Sequence, residues 1–153
     1  MNLLRFVRLV KKFTLLGPSK WKLYIKIIFM TFINRRKVLK KEFKTVVTEL
    51  GNLNKESTRI VEEEKYIVIN TISKAVLRVS NNTPWVTNCM VQAITAKKLL
   101  NNQNIDSTIY LGVTKEENEL KAHAWLRCGE VFVTGGNGAG FAIVNYFSGI
   151  SKK

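Results

Sequence analysis

Histidine, cysteine and proline are scarce in this sequence, which has one, two and two of them in 153 residues. Two cysteines that lie far apart are too few for a disulfide framework, so both thiols are expected to be free. Residues 1–16 have charges scattered through them and lack the uninterrupted apolar centre of a cleavable signal peptide. The apolar stretch at residues 23–33 is interrupted by Lys26 and is too short to span a membrane. We therefore expect a reducing, cytoplasmic location.

Acidic residues are also scarce, because 11 Asp and Glu stand against 25 Lys and Arg, for a formal net charge of +14. The imbalance belongs to residues 1–50, where 13 basic residues stand against 2 acidic ones. Such a segment suits nucleic acid, anionic lipid or an acidic protein partner, or it is the solvated face of helices that pack through their apolar sides. No nucleic-acid partner is expected, because the sequence has no recognisable binding motif and no loop of interleaved aromatics.

The hydrophobic content of 46% indicates a folded globule of one domain. Residues 1–51 are expected to form a basic N-terminal helical region and residues 52–153 the core, the two making one compact unit. The helical segments of the first region end at Gly17-Pro18 and at Gly51. They are residues 2–14, a stretch that begins at Ser19 and includes 23–33, and residues 38–50.

The core region predicts helices followed by strands. A helical pattern covers residues 58–79, and a second helix has Thr87 or Asn88 as its N-cap and runs to about Leu100. Four strand-like runs follow, with Gly129 at a tight hairpin between the second and the third. These runs are residues 107–114, 120–127, 130–135 and 140–147. The order predicts an α+β fold in which a central helix packs on an antiparallel meander.

Cys89 falls at the first turn of that central helix, where unpaired backbone N–H groups and the helix dipole favour a thiolate. Small residues on its face of the helix would let the sheet approach closely. A neighbouring imidazole would accept the thiol proton and later protonate a leaving amine. His123, as the sole histidine, is the candidate for this base. Taken alone the pair is also compatible with a structural cysteine and a core histidine.

Cys128 is the weaker nucleophile, because strand alternation points it to the face opposite His123. A zinc site built from Cys89, His123 and Cys128 would lack a fourth ligand and the usual paired spacing. We therefore expect no metal and no cofactor.

Three motifs together resemble a specific family. They are P-W-x3-C-M-x-Q-A-x3-K-K-L-L at residues 84–100, I-Y-L-G-V at 109–113 and A-H-A-W-L-R-C-G at 122–129. The combination is similar to the transglutaminase-like cysteine peptidases that remove leader peptides during lasso-peptide biosynthesis. The resemblance implies a papain-like core, with Cys89 as the nucleophile on the central helix and His123 as the general base on the sheet.

The third catalytic member is where the sequence departs from that family, whose members often place Asp on the strand after the histidine. A two-residue loop at Cys128-Gly129 would put Thr134 opposite His123. Thr134, through its hydroxyl or carbonyl, or Asn137 in the next loop would then orient the imidazole. Glu130 is expected to be a solvated hairpin residue.

The oxyanion hole is expected to include the backbone N–H of Cys89. Asn88 and Trp85 are candidates for a second donor, and core packing is the other explanation for Trp85. We expect Trp125 to pack beside His123.

The resemblance also implies partners. They are the precursor peptide, a separate leader-recognition protein, and the ATP-dependent macrolactam synthetase that closes the released core. The basic N-terminal helices would help to gather the precursor, its recognition protein or a membrane surface. Two other functions stay open, namely an acyltransferase that intercepts the thioester with an amine, and a non-catalytic binding scaffold.

Overall fold

The computed structural model describes residues 18–149, so the segment predicted to be helical at residues 2–14 lies outside the described residues. Helix α1 covers Pro18–Lys40, and a short helix α2 covers Phe43–Thr48. The prediction of a separate helix at residues 38–50 was therefore wrong about where that helix begins, because the second helix starts at Phe43. The sequence between the two predicted segments contains no Gly or Pro that would end a helix, so α1 continues through it.

Helix α3 covers Glu63–Ser80 and begins five residues later than the pattern predicted. Its first turn carries Glu63 and Glu64, whose negative charges suit the positive end of the helix dipole. The apolar face of α3 is buried, and the N-terminal helix α1 packs against both α3 and the next helix. Tyr24 and Ile27 of α1 belong to the same buried cluster as the residues of α3.

Helix α4 covers Cys89–Asn101, as the sequence predicted to within one residue. The side chain of Asn88 caps it, since Oδ1 accepts a hydrogen bond of 3.0 Å from the backbone N–H of Val91. Ala93 and Ala96 are fully buried in this helix. Their small side chains allow α4 to lie close against the sheet, which it contacts mainly through the third strand.

The sheet has five antiparallel strands in the order β1-β5-β2-β3-β4. The strands are β1 Asn52–Leu53, β2 Thr108–Glu116, β3 Glu119–Cys128, β4 Val131–Thr134 and β5 Ala142–Ser148. The fold class is therefore α+β, with the helices preceding most of the sheet, as predicted. The predicted meander holds for β2, β3 and β4 only. Strand β5 pairs with β2 on the far side, so residues 135–141 connect β4 to a strand that is not its neighbour.

The register between β3 and β4 differs from the prediction. The hairpin loop consists of Gly129 and Glu130, because Cys128 pairs with Val131. A register shift beyond that pair makes Val133 an additional residue on β4, which is the geometry of a β-bulge. Thr134 consequently lies opposite Leu126 and not opposite His123. A bulge leaves no clear signal in the amino-acid pattern, so a regular ladder was the wrong assumption.

Alternation along β3 separates two sets of side chains. Ala124, Leu126 and Cys128 belong to the buried cluster that includes the helices. His123, Trp125 and Arg127 project to the other side of the strand, where aromatic residues of β2 and β5 lie. The prediction that Cys128 and His123 point in different directions is confirmed.

Candidate active site

Cys89 is the first residue of α4 and is partly exposed, while its side chain packs against the buried cluster. Two of the first backbone N–H groups of the helix are already bonded to Asn88. That of Val91 donates to its side chain, and that of Gln92 donates to its carbonyl at 3.1 Å. The backbone N–H groups of Cys89 and Met90 take no part in this capping, so they remain the donors that an oxyanion at this helix end would meet.

His123 lies in the middle of β3, opposite Gly112 of β2. Its ring is stacked on Trp125, with 5.8 Å between ring centroids, and the ring of Phe141 lies at 4.9 Å in a tilted arrangement. The two aromatic residues restrict the rotation of the imidazole. The predicted packing of Trp125 beside His123 is therefore confirmed.

One hydrogen bond determines which tautomer the neutral imidazole of His123 adopts. Nε2 of His123 lies 2.8 Å from the carbonyl oxygen of Gly135. A carbonyl oxygen can only accept, so Nε2 carries the proton. Nδ1 is then the unprotonated nitrogen of the neutral ring, and it is the atom that can accept a proton from a thiol.

Neither of the two residues expected to orient the imidazole forms a hydrogen bond to it. Thr134 is buried opposite Leu126, and its Oγ1 has no hydrogen-bond partner. Asn137 is exposed, and its Oδ1 accepts a hydrogen bond of 3.0 Å from the backbone N–H of Ala139. The carbonyl of Gly135 holds the ring instead. The glycine pair at the end of the strand predicted at residues 130–135 is the one signal in the sequence that marks this turn.

Gly135 leaves no room for a side chain in this position. Its φ is +76°, and a Cβ atom would lie 2.5 Å from the carbonyl oxygen of Ala124. The residue that bonds to the histidine is thus tightly packed against β3 and presents only backbone. No carboxylate reaches the imidazole from this position.

The structure packs helix α4 on strand β3, but it does not join the two predicted catalytic side chains directly. Among the described residues, Sγ of Cys89 makes no hydrogen bond to the ring of His123. Cys89 packs against the buried cluster on the helix side of the sheet, whereas His123 projects to the other side of β3, so the structure does not bring the two side chains together.

The second cysteine is buried and unreactive in its setting. Sγ of Cys128 donates a hydrogen bond of 3.2 Å to the carbonyl oxygen of Asp106. Burial raises the pKa of the Cys128 thiol to about 11, and the negative charge of Asp106 acts in the same direction. Because the thiolate is the nucleophile, a neutral buried thiol is a poor one.

The two side chains considered as a second oxyanion donor, Asn88 and Trp85, each have a structural role. The side-chain oxygen of Asn88 is engaged in capping α4. Trp85 packs edge-on against Phe32 of α1 at 5.5 Å, and its Nε1 is buried without a hydrogen-bond partner. Glu130 is exposed and lies 3.7 Å from Arg59, as expected for a solvated hairpin residue.

Sequence reasoning missed the buried guanidinium of Arg127. This side chain donates to the hydroxyl of Tyr110, the carbonyls of Ser57 and Gly129, and the carboxylate of Glu56. It thereby holds residues 56–57 and the β3–β4 turn against the strand that carries His123. A single Arg in an apolar strand followed by Cys-Gly was the only available signal.

Fold and site together define an α+β protein with a cysteine at the start of a helix packed on an antiparallel sheet that carries a histidine. The family model of the transglutaminase-like superfamily matches residues 39–145. The chain belongs to this superfamily, which includes cysteine peptidases. No curated protein and no solved structure matched the chain in the comparisons.

Residues 18–149 contain no group of three or more His, Cys, Asp or Glu side chains arranged to hold a metal ion. None of the helices described within that range has the length and apolar character needed to cross a membrane.

Proposed function

We propose that this protein is a cysteine peptidase that cleaves a peptide amide through a thioester on Cys89. The observation that carries the proposal is the hydrogen bond between Nε2 of His123 and the carbonyl of Gly135, because it leaves Nδ1 as the basic nitrogen. A general base needs an unprotonated nitrogen held in a fixed direction. The rings of Trp125 and Phe141 restrain that direction further.

In the proposed first step, Nδ1 of His123 takes the proton of the Cys89 thiol, and Sγ attacks the carbonyl carbon of the scissile amide. The backbone N–H of Cys89 stabilises the resulting oxyanion. The imidazolium then protonates the leaving amine as the C–N bond breaks and the thioester remains. Water, deprotonated by Nδ1, attacks the thioester in the second step and restores the thiol. His123 projects to the side of β3 opposite the cluster against which Cys89 packs, so this proton transfer requires a rearrangement on substrate binding that brings Sγ and Nδ1 to one side of the strand.

The group that orients the imidazole, the carbonyl of Gly135, carries no net charge, and this affects the expected rate. A carboxylate stabilises an imidazolium by its charge, whereas the carbonyl of Gly135 offers only a dipole. We therefore propose a modest turnover, with binding of the substrate by partner proteins compensating for it.

The proposed substrate is a ribosomally made lasso-peptide precursor, cut between leader and core. Support comes from the three motifs at residues 84–129 that resemble leader peptidases and from membership of the transglutaminase-like superfamily. A separate recognition protein would present the leader, and an ATP-dependent synthetase would close the released core amine into a ring. The excess of basic residues in the N-terminal third would attract an acidic leader, a contribution that weakens as salt rises.

The test is reconstitution of cleavage with a lasso-peptide precursor and a leader-recognition protein. Cys89→Ala and His123→Ala should each abolish the shortened peptide in mass spectra, while Cys128→Ala should retain it. Far-UV circular dichroism of every variant verifies the fold. An amine adduct in place of a shortened peptide would indicate acyl transfer.

A non-catalytic scaffold is the second candidate, and two observations favour it. Cys89 and His123 share no hydrogen bond in the structure, and the histidine is held by a backbone carbonyl where a carboxylate would serve catalysis better. A scaffold would keep precursor processing in the complete pathway when Cys89 is replaced by Ala. Retained processing by that variant would decide for this function.

A further inference from the structure

Helix α1 carries a row of large apolar side chains on the face that points away from the protein. Ile25 is 56% exposed and Phe29 is 64% exposed, and both are far from the buried face of the helix at Tyr24 and Ile27. Exposed apolar side chains recur every three or four residues from Ile25 to Ile33, and Leu39 follows after the basic Arg36. The row consists of Ile25, Phe29, Phe32, Ile33 and Leu39, of which Phe32 also packs against Trp85.

The same face is basic. Helix α1 contains seven Lys and Arg and no Asp or Glu. Lys22, Lys26 and Arg36 are exposed among the apolar residues, and none of them takes part in the salt bridges of residues 18–149. The guanidinium of Arg36 lies over the ring of Phe32 at 5.8 Å, so one of these cations directly contacts the apolar row.

We infer that this outer face of α1 binds the surface of an anionic lipid bilayer. An interfacial helix needs apolar side chains that enter the boundary between headgroups and acyl chains, together with Lys and Arg that pair with anionic headgroups. The outer face of α1 supplies both along its length, while its other face anchors it to α3 and α4. The protein would lie on the membrane and would not span it.

Other occupants fit the surface less well. A second copy of the chain would place the exposed Lys22, Lys26 and Arg36 of two helices against each other, which costs electrostatic free energy. A polyanion such as nucleic acid would match the cations but not the aliphatic residues Ile25 and Ile33. An anionic bilayer offers negative charge and an apolar layer at the same surface.

The experiment is co-sedimentation of the full chain with vesicles of phosphatidylcholine alone or with about 30% phosphatidylglycerol, at low and high salt. We expect a partition coefficient at least about tenfold higher on the anionic vesicles, falling sharply at high salt. The double variants Ile25→Ser/Phe29→Ser and Lys22→Glu/Lys26→Glu should each lose about tenfold. All four positions are exposed, so thermal unfolding should be little changed.

Matched controls replace exposed residues of the same types elsewhere. Ile67→Ser/Leu120→Ser and Lys55→Glu/Lys74→Glu alter four exposed side chains outside α1, and binding to anionic vesicles should be retained. Equal loss in the control variants would overturn the inference, as would equal binding to neutral and anionic vesicles. It would also be overturned if the α1 variants bound vesicles normally and failed only in binding the precursor or its recognition protein.

Discussion

Nε2 of His123 donates a hydrogen bond to the carbonyl oxygen of Gly135, across the hairpin that joins β3 to β4. The acceptor is a backbone atom, so no substitution can delete it directly. Its position depends on the left-handed conformation of Gly135 and on the close approach of this residue to Ala124. Changes that displace the turn should therefore affect the histidine.

Gly135→Ala tests this dependence against a matched neighbour. The new Cβ would lie 2.5 Å from the carbonyl oxygen of Ala124, and the backbone would also be strained at φ +76°. We expect a loss of about 3 kcal/mol in unfolding free energy and loss of the proposed activity. Gly136 also has a positive φ, of +67°, but a Cβ added there would have no neighbouring atom within 4 Å. Gly136→Ala should therefore lower the unfolding free energy by only about 1 kcal/mol. Denaturant unfolding of the two variants makes the comparison, and equal losses would contradict it.

The two cysteines should differ in their reaction with iodoacetamide. Cys89 is partly exposed at the start of a helix, whereas Cys128 is fully buried and the pKa of its thiol is raised to about 11. Mass spectrometry of the native protein near pH 7 should show one fast-labelled thiol, and Cys89→Ala should remove it. Rapid labelling that survives in Cys89→Ala and disappears in Cys128→Ala would reverse this assignment.

Arg127→Met should lower the unfolding free energy by about 3 kcal/mol. The buried guanidinium donates hydrogen bonds to four groups, and the substitution leaves all four without their donor. Arg59→Met is the matched control. Arg59 is largely exposed and lies 3.7 Å from Glu130, so its loss should change the unfolding free energy by less than about 0.5 kcal/mol. Urea unfolding monitored by tryptophan fluorescence measures both, and similar small changes would show that the Arg127 bonds contribute little.

Lys97 should make stability depend on pH. Burial lowers the pKa of this amine to about 8 from an ordinary 10.5, so the unfolded chain binds more protons between these values. Unfolding free energy should therefore rise by about 1 kcal/mol between pH 7.5 and pH 9. Lys97→Met should remove this rise, whereas the exposed Lys74→Met should keep it. The raised pKa of Cys128 acts in the opposite direction as the pH approaches 9, the ordinary value of a thiol, and it offsets part of this rise. A rise that persists in Lys97→Met would assign it to another group.

Features that depend on local sequence were predicted well. The helix beginning at Cys89 follows from Asn88, whose side chain caps it, and from the apolar pattern up to residue 100. Gly129 was predicted at the β3–β4 turn because glycine favours tight hairpins, and its φ of +57° in the structure agrees with this. Strands β2 and β3 were located to within two residues of their ends.

Features that depend on tertiary pairing were not predictable. The hairpin loop lies one residue later than predicted and Val133 is an additional residue on β4, and together these changes place Thr134 away from His123. The pairing of β5 with β2 depends on residues 135–141 connecting strands that are not adjacent, and no local signal distinguishes this from a meander. The acceptor for His123 was missed for the same reason, since a backbone carbonyl has no signature in the sequence.

The central claim is that the thiol of Cys89 and Nδ1 of His123 share a proton in the working protein. The most direct measurement is the alkylation rate of Cys89 at pH 7 in the native protein and in His123→Ala, with the fold of both verified by circular dichroism. Because a paired base maintains thiolate, the rate should fall at least about tenfold in the variant and recover partly with added imidazole. An unchanged rate in folded His123→Ala would contradict the claim.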